Sequence, residues 1–266
     1  MIRFQASDLH KGDGGPRDNF ASKPGREDSW YRFLDHVDDE GGMLDLTGDV
    51  LDLSQCYLGA VIESSEIFID RTNAVLRKWV LGNHDWHLHG LNEADCGLVH
   101  PIFRKCCNQF TETVGDRKFL VMHGHEVDPY CSSSAPGVGE ITAIVWGLKE
   151  DKNGNPFLKD GRAVEGLTAE RFGDIANFWH KIWRSESRSE QLISAVEDYR
   201  MSKEFDVVRC GHTHNPGRIG NYHYNSGTWS TNRDTFLRIE EDGTVLVQEW
   251  DGHRAIACDV VLREAL

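Results

Sequence analysis

No stretch of this 266-residue sequence is apolar enough to cross a membrane. Its longest apolar runs, such as residues 141–148 with Thr142 inside, fall far short of the ~20 residues a spanning helix needs. No secretory signal is expected either. Strand-like sequence starts at Ile2 and leaves no room for a basic segment followed by an apolar one. The expected location is the cytoplasm. Positive charge is scarce: 29 Lys and Arg stand against 43 Asp and Glu, a formal net charge of −14. An extended nucleic-acid track usually brings a basic surface, so this balance argues against long nucleic acids and leaves small nucleotides open. Cysteine pairs are also lacking. The seven cysteines are odd in number and form no C-x-x-C, which argues against a disulfide framework and fits a reducing compartment. Most are read as small core hydrophobes; adjacent Cys106 and Cys107 are the pair to watch for redox sensitivity.

What is present is an ordinary globular balance, 39% hydrophobic and 27% charged. The length suits one large α/β domain or two small ones. Strand patterns fall at residues 2–7, 43–47, 75–81, 118–122 and 205–210, with later ones at 222–224, 235–239 and 244–248. The last two flank Asp242-Gly243, a hairpin signal. Residues 28–37 carry helical spacing in Trp30, Phe33, Leu34 and Val37, and 58–74 also read as helix. Residues 131–203 break this rhythm and read as a mainly helical insertion or cap within a single domain, 1–266.

One event recurs at five strand ends: a β-like run stops, and a turn presents Asp, His or Asn. The residues are Asp8 and His10, then Asp49, then Asn83 and His84, then His123, then His212 and His214. In open α/β sheets, ligands gather beyond the carboxyl ends of the strands, so these side chains would share one pocket. Gly48, Gly82, Gly124 and Gly211 suit tight turns there. Mixed imidazole and carboxylate donors favour two divalent ions, manganese first and zinc, iron or nickel next. Two metals need a bridging carboxylate, and Asp49 is the natural one. Such a pair clamps a phosphoryl group and makes hydroxide near neutral pH.

The blocks Asp8-Leu9-His10, Gly48-Asp49, Gly82-Asn83-His84-Asp85, His123-Gly124-His125 and Gly211-His212-Thr213-His214 resemble those of the calcineurin-like metallophosphoesterases. The resemblance implies an α/β sandwich of two mixed β-sheets flanked by helices. It implies one metal on Asp8, His10, Asp49 and His214 and a second on Asp49, Asn83, His123 and His212. It also implies that His84 contacts the substrate phosphate and assists the leaving group. Within the family, Asp49-Val50-Leu51-Asp52, the segment from His123 to Asp128, and Asn225-Ser226-Gly227-Thr228-Trp229 resemble the branch that hydrolyses UDP-2,3-diacylglucosamine. That branch usually carries Arg where His84 stands and Asp where His125 stands.

Other residues flank this set. His125, Asp52 and Asp85 would back a ligand or touch substrate, and Asp13, Arg17 and Asn19 would rim the pocket. His87 and His89 read as packing or surface residues. Phe172, Ile175, Trp179, Ile182 and Trp183 fall on one helical face with basic residues scattered nearby. Such a face could grip a lipid, a membrane surface or a nucleotide, although packing on the body is the simpler reading. The leading function is hydrolysis of a phosphate ester or pyrophosphate by a metal-bound hydroxide, with a small phosphorylated substrate. The alternatives are a nucleotide or nucleic-acid phosphodiesterase and a non-catalytic metal-binding scaffold. The sequence carries no signature of oligomeric state.

Overall fold

The computed structural model describes residues 1–15, 18–53, 56, 58–89, 100–128, 149–150, 156–157, 186–258, 260 and 262. Strands β1 (Arg3–Ala6), β2 (Met43–Thr47), β3 (Leu76–Val80) and β4 (Cys106–Cys107) run parallel in one sheet. Phe4, Ala6, Leu44, Leu46 and Val80 are wholly buried, as strands covered on both faces require. A second sheet contains β5 (Gln109–Val114) and β6 (Arg117–Met122). A separate short antiparallel pair is formed by β7 (Lys149–Glu150) and β8 (Pro156–Phe157). The second sheet continues with β9 (Val207–Cys210), β10 (Gly217–Ile219) and β11 (His223–Asn225). The first sheet is completed by antiparallel β12 (Asp234–Ile239), β13 (Val245–Trp250) and β14 (Ala255–Ala257). The strand orders are β14-β13-β12-β1-β2-β3-β4 and β10-β11-β9-β6-β5. In the second sheet β6, β9 and β11 are mutually parallel.

Four α-helices are described: α1 (Arg26–Asp39), α2 (Leu58–Ser64), α3 (Glu66–Val75) and α4 (Glu186–Ser202). The apolar stripe of α1 buries Trp30, Phe33, Leu34 and Val37. Trp30 donates from Nε1 to Thr72 Oγ1 of α3 at 3.1 Å. These helices share a core with Phe4, Leu44, Leu46 and Trp79 on one face of the first sheet. Between the sheets lie Val114, Phe119, Val207, Leu237, Ile239 and Val247. The outer face of the second sheet packs Leu120, Met122 and Val208 against Leu192 and Val196 of α4. The result is a layered sandwich, helices outside and two mixed sheets within. Among the described residues, no helix is long and apolar enough to cross a membrane.

Several local features differ from the sequence expectation; besides the short strands β4, β7, β8, β10 and β14, a helix is broken and a long strand is added. The helix expected over 58–74 is broken at Ser65 into α2 and α3. Ser64 Oγ donates to the Val61 carbonyl at 3.1 Å, the side-chain competition that weakens a helix interior. Strand β5 has no counterpart among the expected strands; it pairs with β6 across the two-residue turn Gly115-Asp116. Most of 131–203 lies outside the described residues, including the aromatic face from Phe172 to Trp183; β7, β8 and α4 are what is described there. Among the described residues, no disulfide joins Cys56, Cys106, Cys107, Cys210 and Cys258 to one another. Burial pushes the thiols of Cys106 and Cys107 above their ordinary range, which makes them poor nucleophiles.

A buried ionic cluster ties the sheets together. Arg77 of β3 bonds Asp45 of β2 through Nε at 2.8 Å and Glu112 of β5 through Nη1 at 2.6 Å. Arg3 Nε lies 3.2 Å from Glu112 Oε2, and Arg209 of β9 bonds Glu112 from the other side. Asp45 and Arg209 are wholly buried. Removing one partner of such a cluster strands the other's charge. Arg209→Met should cost roughly 3–5 kcal/mol, seen as a lower urea midpoint for the metal-free protein. An unchanged midpoint would mean that the bridge contributes nothing.

Candidate metal centre

Parallel strands place their carboxyl ends on one side. In the first sheet, β1 leads to Asp8 and His10, β2 to Asp49, and β3 to Asn83 and His84. In the second, β6 leads to His123, and β9 to His212 and His214. The backbone at these ends is unusual. Among the described residues, six non-glycine positions have positive φ, and five of them are Asp8 (55°), His10 (51°), Asp49 (53°), His212 (66°) and His214 (58°). Left-handed backbone costs roughly 1–2 kcal/mol per residue. Bonds between neighbouring loops hold it in place. Asp8 N–H donates to Gly48 O at 3.0 Å, His10 N–H to Asp49 O at 2.9 Å, and His212 N–H to Asp8 Oδ2 at 3.0 Å. The late turn braces two ligand loops: Asn225 Nδ2 donates to Gly211 O at 2.6 Å, and Thr228 Oγ1 to Asp8 O at 2.8 Å. Glycine is required where loops touch. A Cβ on Gly48 would lie 2.1 Å from His123 Nδ1, and one on Gly82 would lie 2.1 Å from Asp49 Oδ1.

Three overlapping groups could hold a cation: Asp8 with His10 and His214, His10 with Asp49 and His84, and Asp49 with His123 and His212. His10 Nε2 and His214 Nε2 are 3.2 Å apart, and His214 Nε2 is 3.1 Å from Asp8 Oδ1. Asp49 Oδ2 lies 3.3 Å from His123 Nε2 and 4.0 Å from His10 Nε2. Two atoms bound at about 2.1 Å to one ion stand roughly 3–3.5 Å apart. Asp8 Oδ1, Asn83 Oδ1 and His123 Nε2 are buried without an aligned hydrogen-bond partner. Asp8 Oδ1 approaches His214 Nε2, and His123 Nε2 approaches Asp49 Oδ2, without hydrogen-bond alignment, which fits an ion shared by each pair. The donor chemistry and these orphaned atoms therefore suit divalent metals.

A family model of the calcineurin-like phosphoesterases matches residues 4–216. The chain belongs to this family. Its fold is similar to that of a dimetal phosphatase from Danio rerio, at 10% identity and TM-score 0.52, over 96% of this chain and 98% of that one. It also aligns with an archaeal phosphodiesterase, at 15% identity and TM-score 0.45, over 94% and 99% of the two chains. A zinc-complexed Vps29 from Entamoeba histolytica aligns at 14% identity and TM-score 0.43, over 99% and 100%. No curated protein sequence matches the chain.

The remaining candidate residues of this family member fall into distinct places. Asp52 Oδ1 lies 3.0 Å from His84 Nδ1, and His84 N–H donates to Asp49 Oδ1 at 2.9 Å. Asp85 turns inward. It accepts from Gly82 N–H at 2.7 Å, Val50 N–H at 2.8 Å and Trp79 Nε1 at 3.2 Å, so it ties two ligand loops together. The His125 ring sits 5.4 Å from that of His123 and outside all three cation groups, with Nδ1 3.6 Å from Glu126 Oε2. Asn19 serves the fold through its carbonyl, which accepts from Arg26 Nη1 at 2.7 Å. Asp13 Oδ1 accepts from Gly15 N–H at 3.0 Å, a local turn bond. Arg17 lies outside the described residues. His89 stacks on Trp86 with ring centres 6.2 Å apart. Two contributors are given no role at the site by the sequence, although Asp128 closes the segment from His123 that resembles the diacylglucosamine branch. The Thr47 carbonyl faces His123 Nδ1 at 2.7 Å, and Asp128 Oδ2 faces His212 Nε2 at 2.8 Å. A backbone carbonyl has no sequence signal; Asp128 has one, its place five residues after His123.

The electrostatics follow from packing carboxylates and imidazoles together. Burial opposes charge on Asp49, but His123 and His84 outweigh it and hold the carboxyl well below its usual range. Burial likewise opposes a cation at His123, and Asp49 and Asp8 overcome it, pushing the pKa up to about 10. His84 is pushed up to about 9 against burial by Asp49 and Asp52. His10 goes the other way: burial and the neighbouring His84 lower it to about 3. Burial also lowers His125, to about 4. A proton on His123 must leave before its Nε2 can bind a metal. Uptake of a divalent metal between pH 7 and 9 should therefore release protons, and affinity should rise with pH by about tenfold per unit for each proton displaced. Calorimetry in buffers of differing ionisation heat measures this. Affinity that does not change with pH would contradict the assignment of protonated His123.

Proposed function

We propose that this calcineurin-like phosphoesterase hydrolyses a phosphate ester or pyrophosphate bond with two divalent metals. The observation that carries the reading is the position of Asp49. Its carboxylate belongs to the cation group with His123 and His212 and also lies within 4.0 Å of His10 in the Asp8 side of the cluster. Asp8, His10, Asp49 and His214 would hold one ion; Asp49, Asn83, His123 and His212 would hold the other. Manganese suits this nitrogen and oxygen set, with zinc, iron and nickel as the other ions to try. When bound there, two such ions would supply Lewis acidity at phosphoryl oxygens and lower the pKa of water.

The chain's own groups do the rest. His84 sits between the carboxylates of Asp49 and Asp52, which in the metal-free protein push its pKa up to about 9. It can bond a phosphoryl oxygen and donate to the departing oxygen. Asp52 fixes the ring from behind, and the His84 amide bond to Asp49 fixes the ring's distance from the bridging carboxylate. The net charge of −14 fits a small phosphorylated substrate better than a long nucleic acid. The motif resemblance makes UDP-diacylglucosamine the first nucleotide-sugar pyrophosphate to test.

A panel of phosphomonoesters, phosphodiesters and nucleotide-sugar pyrophosphates, each with Mn, Zn, Fe, Ni and Mg, tests the reading. Two bound metals with no hydrolysis of any member would turn it into the scaffold alternative. Asp49→Ala should abolish turnover and lose bound metal, measured by elemental analysis. His84→Ala should keep both ions and lower kcat about 10²–10⁴-fold; full activity would remove its role as proton donor. Asp52→Asn removes one of the charges that raise the His84 pKa. The alkaline limb of its kcat profile should move below that of the native enzyme, because the His84 proton is lost sooner as pH rises. Superimposable profiles would show that His84 is not the titrating acid.

A further inference from the structure

The two histidines of the second ligand group are turned in opposite senses. His123 Nδ1 faces the Thr47 carbonyl at 2.7 Å, and its Nε2 faces Asp49 Oδ2 at 3.3 Å. His212 presents Nε2 to Asp128 Oδ2 at 2.8 Å, with ring and carboxylate both buried. An ionised carboxylate only accepts, so Nε2 carries the hydrogen and Nδ1 is the nitrogen left for the group with Asp49 and His123.

Asp128 is built into place. Gly124 turns the chain with φ 116°, and Glu126 Oε2 accepts from Gly124 N–H at 2.7 Å. A short 3-10 turn, His125–Val127, follows, and Asp128 N–H donates to His125 O at 3.1 Å. Val127 anchors that turn against the core beneath α4. The charge balance gives the carboxylate a purpose. On the Asp8 side, two carboxylates, Asp8 and Asp49, would face an ion. On the other side, Asp49 is shared, Asn83 is neutral, and His123 and His212 are imidazoles. Asp128 returns a negative charge to that side through the His212 ring, which strengthens Nδ1 as a donor.

We propose that Asp128 is a positioning residue for the second metal, holding His212 in the tautomer and orientation that direct Nδ1 at the ion. The proposal rests on the dinuclear reading above. Manganese titration followed by electron paramagnetic resonance tests both and separates them. Native protein that binds fewer than two Mn(II) ions defeats the dinuclear reading itself. If it binds two, Asp128→Ala should raise the Kd of one ion roughly 10–100-fold and leave the other unchanged. The spin-coupled pair signal at two equivalents should give way to that of isolated Mn(II). A merely structural Asp128 would lower the Tm of the metal-free protein without singling out one ion. Asp128→Asn keeps the shape and an accepting oxygen but loses the charge, so its effect should be smaller than that of Ala. Variants that bind both ions as tightly as the native protein would overturn the proposal. Should neither variant fold, nitrogen NMR of the zinc-loaded native protein decides. His212 should be protonated at Nε2 and metal-bound at Nδ1, with His123 reversed; His212 protonated at Nδ1 overturns the proposal.

Discussion

The left-handed backbone at the strand ends is the constraint from which the rest of this site follows. Asp8, His10, Asp49, His212 and His214 all adopt it. The sharp turn after each parallel strand brings the following side chains back over the sheet ends, where strands from both sheets deliver their ligands. Backbone of this kind persists only where its surroundings over-determine it. Here the surroundings are neighbouring ligand loops, bonded Asp8 to Gly48, His10 to Asp49 and His212 to Asp8. Each loop is a condition for the next, so the site forms as a unit.

That unit needs both sheets at fixed spacing. Asp45 stands in β2, four residues before Asp49, and Arg209 stands in β9, three before His212. Their ionic cluster with Arg77 and Glu112 locks the strands that feed the two halves of the site. The aromatic core reaches the site by a separate route. Trp229 packs edge-on against Trp30 at 4.7 Å and against Phe33 at 5.0 Å. It thereby seats the turn whose Asn225 and Thr228 grip the loops of His212 and Asp8. Core packing, sheet spacing and ligand geometry are thus mechanically continuous.

Much of this is legible in the order of the amino acids. The strand expected over 43–47 matches β2, and the apolar spacing in α1 identifies the residues that are buried. Repetition makes the site readable, since the ligand blocks follow strand-like runs at their carboxyl ends. Less is readable where a feature depends on contact rather than order. Ser65 splits a helix whose periodicity runs through it. Asp85 sits in the third block beside His84, yet its side chain bonds the amides of Gly82 and Val50 and the indole of Trp79 instead of facing the ligands. Asn19 shows the same limit, joined to the fold through a backbone carbonyl.

By itself the sequence determined which residues end the parallel strands, because short apolar runs and glycine turns are local properties. It therefore determined the inventory of Asp, His and Asn available to metals. Only the tertiary structure decided how that inventory divides. Asp49 lies near both sides of the cluster, Asp52 turns to His84, Asp85 turns into the loops, and Asp128 turns to His212. These are four aspartates of one chemistry, and their order along the chain carries no information about direction. Direction is set by which buried donors each carboxylate meets, and those donors come from strands of two different sheets.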